Sequence, residues 1–218
     1  TDYLNLLYQG ISYVFLREGI TLNLYEIYIW ETQNPTLYNG PDPSAALNKF
    51  KTDKNLSYPV STNCFFKQLF TNSSYSYGTA GIAELGSDAN GYSGVNFFLK
   101  QHSLVTFANN FTLPNPPTDF TSYVWSIQVA SHELGHCFGS NHTHKCNFWR
   151  NDQNQVITKL DSCAATSISC APQKIPDSPL IPTIMGYCFG NGVENYVLSN
   201  GFGKYPRWAI RKTLYASN

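Results

Sequence analysis

Apolar residues follow two different rhythms along this chain. From Tyr3 to Arg17, Leu4, Leu7, Tyr8, Ile11, Val14 and Phe15 recur at helical spacing, and Gly19 supplies a stop. Ile20 to Trp30 changes rhythm, with Leu22, Leu24, Tyr25, Ile27 and Ile29 set against polar neighbours, which predicts a strand. Turn residues at Asn34-Pro35 and Gly40-Pro41-Asp42-Pro43 follow, after which Ser44 is placed to cap a short helix carrying Ala45, Ala46, Leu47 and Phe50. Strands are predicted around Phe65 to Phe70 and Ser103 to Phe107. Between them a stretch rich in Gly, Ser and Tyr holds one apolar island, Gly81-Ile82-Ala83-Glu84-Leu85-Gly86, suited to a short strand bounded by glycines. Beyond the break at Asn115-Pro116-Pro117, the residues Val124, Ile127, Val129, Leu134 and Phe138 mark a helix from Tyr123 to Phe138, closed by Gly139.

After Gly139 the texture changes. Cys146, Cys163, Cys170 and Cys188 fall in a loop-rich region with Pro172, Pro176, Pro179 and Pro182, before an apolar-patterned helix from Trp208 to Tyr215. The pattern predicts an α/β (α+β) fold in a single domain over residues 1–218. An upper subdomain over about 1–139 carries helices on a mixed β-sheet, and a lower one over about 140–218 is irregular, stapled by disulfides and ended by a helix.

Composition narrows the choice of partners. The chain has 218 residues, enough for one large core, with 13% charged and 15% aromatic side chains, which excludes a disordered tail or a coiled coil. Fourteen basic residues balance fourteen acidic ones with no run of either sign, so no nucleic acid or anionic membrane surface is expected as a partner. No apolar stretch approaches the roughly 20 residues of a membrane span. Six cysteines without a Cys-x-x-Cys pair point to a secreted, extracellular protein with up to three disulfides, whose pairing the sequence leaves open. Since no basic and apolar leader opens the chain, an export signal and a propeptide are expected to lie outside it. Nothing specifies an oligomeric state.

The chemistry is concentrated in His132-Glu133-Leu134-Gly135-His136-Cys137-Phe138-Gly139-Ser140-Asn141-His142. Residues four apart share a helix face, so His132 and His136 can present two imidazoles to one ion. Glu133 beside them can reach a water on that ion. Gly139 permits a turn that swings His142 back to complete the set. Three neutral imidazoles with an open fourth position describe a catalytic zinc site rather than a structural one. A His-Glu-x-x-His match alone arises in on the order of one such chain in a few hundred, and the added glycine and histidine make chance far rarer.

At these residues the chain resembles the metzincin clan of zinc endopeptidases, whose consensus H-E-x-x-H-x-x-G-x-x-H is followed downstream by a methionine turn. Ile184-Met185-Gly186-Tyr187 matches that turn, and Met185 is the only methionine. Within the clan the chain is most similar to the adamalysin or reprolysin-like peptidases, especially bacterial and fungal ones, through the Gly81 to Gly86 island, His142-Thr143-His144 and Thr183-Ile184-Met185-Gly186-Tyr187-Cys188. The resemblance implies one catalytic Zn2+ on His132, His136 and His142, Glu133 as general base, Met185 as an apolar floor under the metal, and a protein or peptide substrate. It also implies that substrate lies along an edge strand formed by Ile82, Ala83, Glu84 and Leu85. Thr143 stands where animal adamalysins carry Asp. Tyr187 occupies the position from which astacin-like and serralysin-like enzymes direct a tyrosine at zinc, so it is expected to contact the metal or the transition-state oxyanion.

Other residues carry weaker signals. His144 has the wrong spacing for a ligand in this clan, and His102 stands alone. The Asn-x-Ser/Thr sites at Asn55, Asn72, Asn110 and Asn141 are read as unmodified, since a glycan on Asn141 would obstruct the site. Asp88 to Asn90 could hold Ca2+, but no EF-hand pattern supports it. Cys137, within the motif, reads as a buried thiol, a disulfide partner for Cys64 or a soft competitor for the metal, with the disulfide preferred. Two rival functions are a zinc-containing binding or adhesion module without catalysis and a zinc amidase acting on a non-protein amide.

Overall fold

Helix α1 (Asp2–Arg17) forms as its apolar spacing predicts and buries Leu7, Ile11, Val14 and Phe15 on one face. Its end is a Schellman turn: Gly19, at φ 75°, donates its N–H to Leu16 O (2.8 Å), and Ile20 donates to Phe15 O (3.0 Å). The computed structural model describes residues 2–24, 27, 41–52, 66–71, 75, 79–85, 101–106, 120–151, 153, 155–157, 159–161, 183–187 and 194–215. Helices α2 (Pro43–Thr52), α3 (Phe120–Cys137), α4 (Glu194–Asn200) and α5 (Lys204–Tyr215) complete the helical set among them. The strands are β1 (Phe66–Thr71), β2 (Gly81–Ala83), β3 (Gln101–Thr106), β4 (Trp149–Arg150) and β5 (Val156–Ile157).

The first three strands make one mixed sheet in the order β1-β3-β2. β1 runs parallel to β3, with Leu69 opposite Leu104, and β2 runs antiparallel to β3, with Ile82 opposite Leu104. Because neighbouring strand residues face opposite ways, the sheet divides its side chains between two cores. Leu69, Leu104 and Ile82 pack with Ala46, Leu47 and Phe50 of α2, while Phe66, Phe70 and Val105 join α1 and α3 in the larger core. Helix α3 is therefore wedged between the sheet, α1 and α4, which explains why nearly every side chain described from Ser126 to Cys137 is buried. At about 1.5–3 kcal/mol per large apolar side chain, this packing rather than helix propensity holds α3 in place.

Several expectations change. Residues 20–24 and 27 are not in a strand, and the rest of the predicted Ile20 to Trp30 strand lies outside the described residues. Ile20 N–H is taken by the α1 cap and Leu22 O accepts from the Tyr8 hydroxyl (2.5 Å), so this backbone finds local partners instead of a ladder. Asp42 rather than Ser44 caps α2, its carboxylate accepting from Ser44 N (2.8 Å). Cys137 keeps its thiol instead of bonding Cys64, because its side chain turns into the α3–β3 contact, where Ser103 hydrogen-bonds it. The β4–β5 hairpin and α4 had no clear sequence signal, and α5 starts a turn earlier than predicted. Within the described residues no helix is long and apolar enough to cross a membrane.

Candidate metal centre

Helix α3 sets the site in motion. His132 and His136 lie one turn apart near its C-terminal end, and a second Schellman turn follows immediately: Gly139, at φ 86°, donates to His136 O (2.8 Å) and Ser140 to Gly135 O (3.0 Å). The reversal carries Asn141, whose side-chain oxygen accepts from His142 N (2.9 Å), and brings His142 back over the helix. The Nε2 atoms of His132, His136 and His142 then form a triangle with sides of 3.1, 3.0 and 3.1 Å.

Proton bookkeeping shows what this triangle fits. His132 Nδ1 lies 2.6 Å from Ile184 O and His136 Nδ1 lies 2.7 Å from Ser140 O. A carbonyl oxygen only accepts, so each Nδ1 carries the proton and each facing Nε2 offers a lone pair. Burial, reinforced by the neighbouring imidazoles, lowers the three histidines from their ordinary value, His132 to about 3, His136 to about 4 and His142 to about 2. Lone pairs aimed at one another at this distance repel unless a cation lies among them. Three neutral imidazole nitrogens at about 2.0–2.1 Å from a tetrahedral zinc would sit about 3.3 Å apart, close to the triangle observed. The cluster satisfies the geometry of a three-histidine metal site.

The reprolysin-type model of metallo-peptidase family M12 matches residues 2–196. The chain belongs to that family. No curated protein matches it. Membership and the three-histidine cluster together make this a zinc metallopeptidase fold, with zinc chemistry directed at peptides.

Around the triangle of this M12 family member, the other predicted positions converge. Glu133 is buried, and burial pushes its carboxyl up to about 8. It lies against Gly81 so closely that a Cβ there would come within 2.5 Å of Glu133 Oε1. Tyr187 places its hydroxyl 2.9 Å from His142 Nε2, on the metal-facing nitrogen. Burial first, and then the Glu133 charge, raises the proton affinity of that phenol. Met185 is wholly buried beneath α3, and a Cβ on Gly135 would stand 2.6 Å from its sulfur and 2.8 Å from the Phe202 ring. His144 is not in the triangle: it stacks on His142 at 4.9 Å and 13°.

The predicted edge strand is shorter and differently disposed than expected. Only Gly81–Ala83 is strand, with Glu84 and Leu85 following it. Glu84 turns to Lys51 of α2 in an ion pair, and Ile82 packs under the same helix. The Asp88 to Asn90 loop considered for calcium lies outside the described residues.

Residues without a sequence signal hold the third histidine. Trp149 Nε1 donates to His142 O (3.2 Å), Thr143 N to Met185 O (3.1 Å) and Leu160 N to Thr143 O (2.8 Å). The Thr143 hydroxyl donates to the buried Asp161 carboxylate. Gly186 leaves room for that pair, since a Cβ on it would lie 3.0 Å from Asp161 and 3.1 Å from Thr143. Gly81 and Gly135 could have been noticed from sequence, because glycine inside a strand or helix signals close approach. Trp149 and Asp161 could not, since neither lies at a spacing that relates it to the zinc motif.

Proposed function

We propose that the chain is a secreted zinc-dependent endopeptidase, forming one catalytic domain over residues 1–218 with an upper part to about residue 139 and a lower part from about 140. His132, His136 and His142 are its zinc ligands and Glu133 its general base. The observation that carries this reading is the placement of the buried Glu133 carboxyl beside a three-histidine triangle and against the edge strand at Gly81. A binding module has no use for a desolvated base at that point.

Zinc bound at this centre supplies Lewis-acid polarisation of a carbonyl and a water of lowered pKa. Glu133, whose proton affinity is raised by burial, takes the proton of the attacking water and returns it to the leaving amine. Tyr187 directs its hydroxyl at the same space and donates to the oxyanion as it develops. Met185 closes the floor of the site and excludes water from below.

Peptide binding along β2 follows from its backbone directions. Thr106 N donates to Ala80 O (2.8 Å), so Ala80 and Ile82 turn their main-chain groups toward β3, and Gly81 and Ala83 turn theirs outward. Among the described residues that outer edge has no strand beside it. An extended peptide pairing with Gly81 and Ala83 passes Glu133 as it goes, whereas Glu84 and Ile82 serve to fasten the strand to α2. Secretion is supported by Cys146, which is disulfide-bonded.

The test is a peptide-library digest with the wild type and Glu133→Ala side by side. Zinc-dependent cleavage at internal peptide bonds by the wild type, lost in a variant that still binds zinc, is the expected result. Retained cleavage in the variant removes Glu133 as the base. Hydrolysis restricted to a non-protein amide would replace the endopeptidase reading with an amidase one.

A further inference from the structure

Glu18 is a buried carboxylate that the proposed mechanism leaves unused. It follows the last residue of α1, yet its carboxylate and its carbonyl are bound by residues near the opposite end of the chain. Arg207 of α5 forms an ion pair with Glu18 Oε2, and Phe202 N donates to Oε1 (3.3 Å). Arg211 donates twice to the Glu18 carbonyl, at 3.1 and 2.6 Å. Next to it, Arg17 donates to Leu198 O (2.8 Å) and Ser199 O (2.6 Å) near the end of α4.

The turn that Glu18 grips, residues 201–203, leads directly to the metal centre. Gly201 and Gly203 both have positive φ, 62° and 76°, and both are pressed by neighbours. A Cβ on Gly201 would stand 2.6 Å from Glu18 Oε1, and one on Gly203 would stand 3.0 Å from Thr183 Cγ2. Gly201 O accepts from Ile184 N (2.9 Å), and Ile184 O is the atom that His132 Nδ1 holds at 2.6 Å. Between those two glycines, the fully buried Phe202 ring touches Gly135 in the same helical turn as His136.

We propose that Glu18 is a positioning residue for the three-histidine centre, acting through the 201–203 turn and Ile184 on His132. This rests on the reading of that centre as a zinc site. A carboxylate seated on Phe202 N fixes where Gly201 O points, Gly201 O fixes residue 184, and the Ile184 carbonyl fixes the tautomer and tilt of His132. The outer partner of a ligating histidine is worth tenfold to hundredfold in metal affinity as a rule, and Glu18 stands two hydrogen bonds further out, which places its effect at the lower end of that range. The docking of the N-terminal helix is thereby coupled to how firmly metal is held.

The experiment compares the full chain with Glu18→Gln, Arg207→Lys and a remote control, Leu69→Ala, in the core beneath α2. Three quantities are read: zinc affinity by chelator competition, the visible absorption of the cobalt-substituted protein, and amide exchange at Ile184 in the metal-free protein. Glu18→Gln is expected to weaken zinc about tenfold, shift the cobalt bands and accelerate exchange at Ile184. Arg207→Lys should move all three in the same direction by less, and it decides the matter by itself if Glu18→Gln does not fold. Leu69→Ala should lower the melting temperature and leave all three unchanged. Wild-type values in both Glu18→Gln and Arg207→Lys, or equal changes in Leu69→Ala, overturn the proposal. A wild type that binds neither zinc nor cobalt overturns instead the zinc reading beneath it.

Discussion

Two regions build one metal centre in different ways. Residues 132–139 belong to a helix and its cap, where the spacing of side chains follows from 3.6 residues per turn and the reversal follows from a glycine at positive φ. The described residues from 140 to 161 and from 183 to 187 contribute His142, Met185 and Tyr187 from segments with little regular structure, and these are held by individual hydrogen bonds: Trp149 to His142 O, Thr143 to Asp161, Thr143 N to Met185 O. The first region owes its backbone to helix hydrogen bonds that do not depend on side-chain identity, except at Gly135 and Gly139, where close neighbours and a positive φ require glycine. The second has no such reserve, because each contact is a separate hydrogen bond with its own partner. Chemistry should be lost most abruptly through the side chains that the helix presents, and geometry one contact at a time through the irregular region.

The strongest break comes from the helix. Glu133→Ala should reduce turnover roughly 10⁴-fold while zinc content is retained, since base catalysis is lost without touching an imidazole. Steady-state kinetics with metal analysis on the same sample checks both halves. On the irregular side, Tyr187→Phe should cost about 100-fold in kcat with little change in zinc affinity, the usual effect of removing one oxyanion donor. If kcat is unchanged, the hydroxyl beside His142 Nε2 is only packing.

Smaller effects separate the regions by stability. Gly135→Ala gains about 1 kcal/mol of helix propensity, but its new methyl meets the Met185 sulfur and the Phe202 ring, both fully buried. The clash should win, with a net loss of about 1–2 kcal/mol in urea unfolding of the metal-free protein. Thr143→Val keeps the shape and removes the hydroxyl that reaches Asp161, for a loss of about 1–2 kcal/mol together with weaker zinc binding. A stability loss with undiminished zinc affinity would show that the contacts of Trp149, Lys145 and Asn141 hold His142 without help from Thr143.

Acid gives the most graded response, and it acts on both regions together. The three histidines are lowered by burial when folded and return to about 6.5 when unfolded, so below that value the unfolded chain binds protons that the folded one does not. The histidines' contribution to the stability of the metal-free protein should thus be intact above pH 6.5 and fall as the pH drops toward 4, while the single Glu133 carboxyl, raised by burial to about 8, works the other way between its ordinary value and that one and offsets only part of the change. The loss approaches about 1.4 kcal/mol per pH unit for each imidazole that stays neutral. Urea midpoints at pH 7 and pH 5 measure it, and replacing His142 by Asn should flatten the dependence.

Much of the site was legible without coordinates because its information is local. The helix from Tyr123 to Phe138, the glycine after it and the histidine spacing are all consequences of short-range geometry, and they survive in the structure with only shifts at the ends. Over residues 20–24 and 27 the strand predicted for Ile20 to Trp30 does not form. There alternation describes a segment whose Ile20 N–H and Leu22 C=O are taken by α1 rather than by a neighbouring strand. Cys137 illustrates the same limit, since a cysteine carries no mark of whether its neighbour will be another sulfur or, as here, Ser103 on β3.

The amino-acid order by itself determined that two imidazoles share a helix face, that a glycine turns the chain back, and that a base stands beside the first histidine, because each depends only on residues within a few turns of one another. Which carbonyl receives His132, which side chain clamps the third histidine, and which carboxylate steadies the turn beneath the centre were decided by tertiary structure. Those partners, Ile184, Trp149 and Glu18, lie at sequence separations that no local rule relates, and only packing α3 between the sheet, α1 and α4 brings them to the same place.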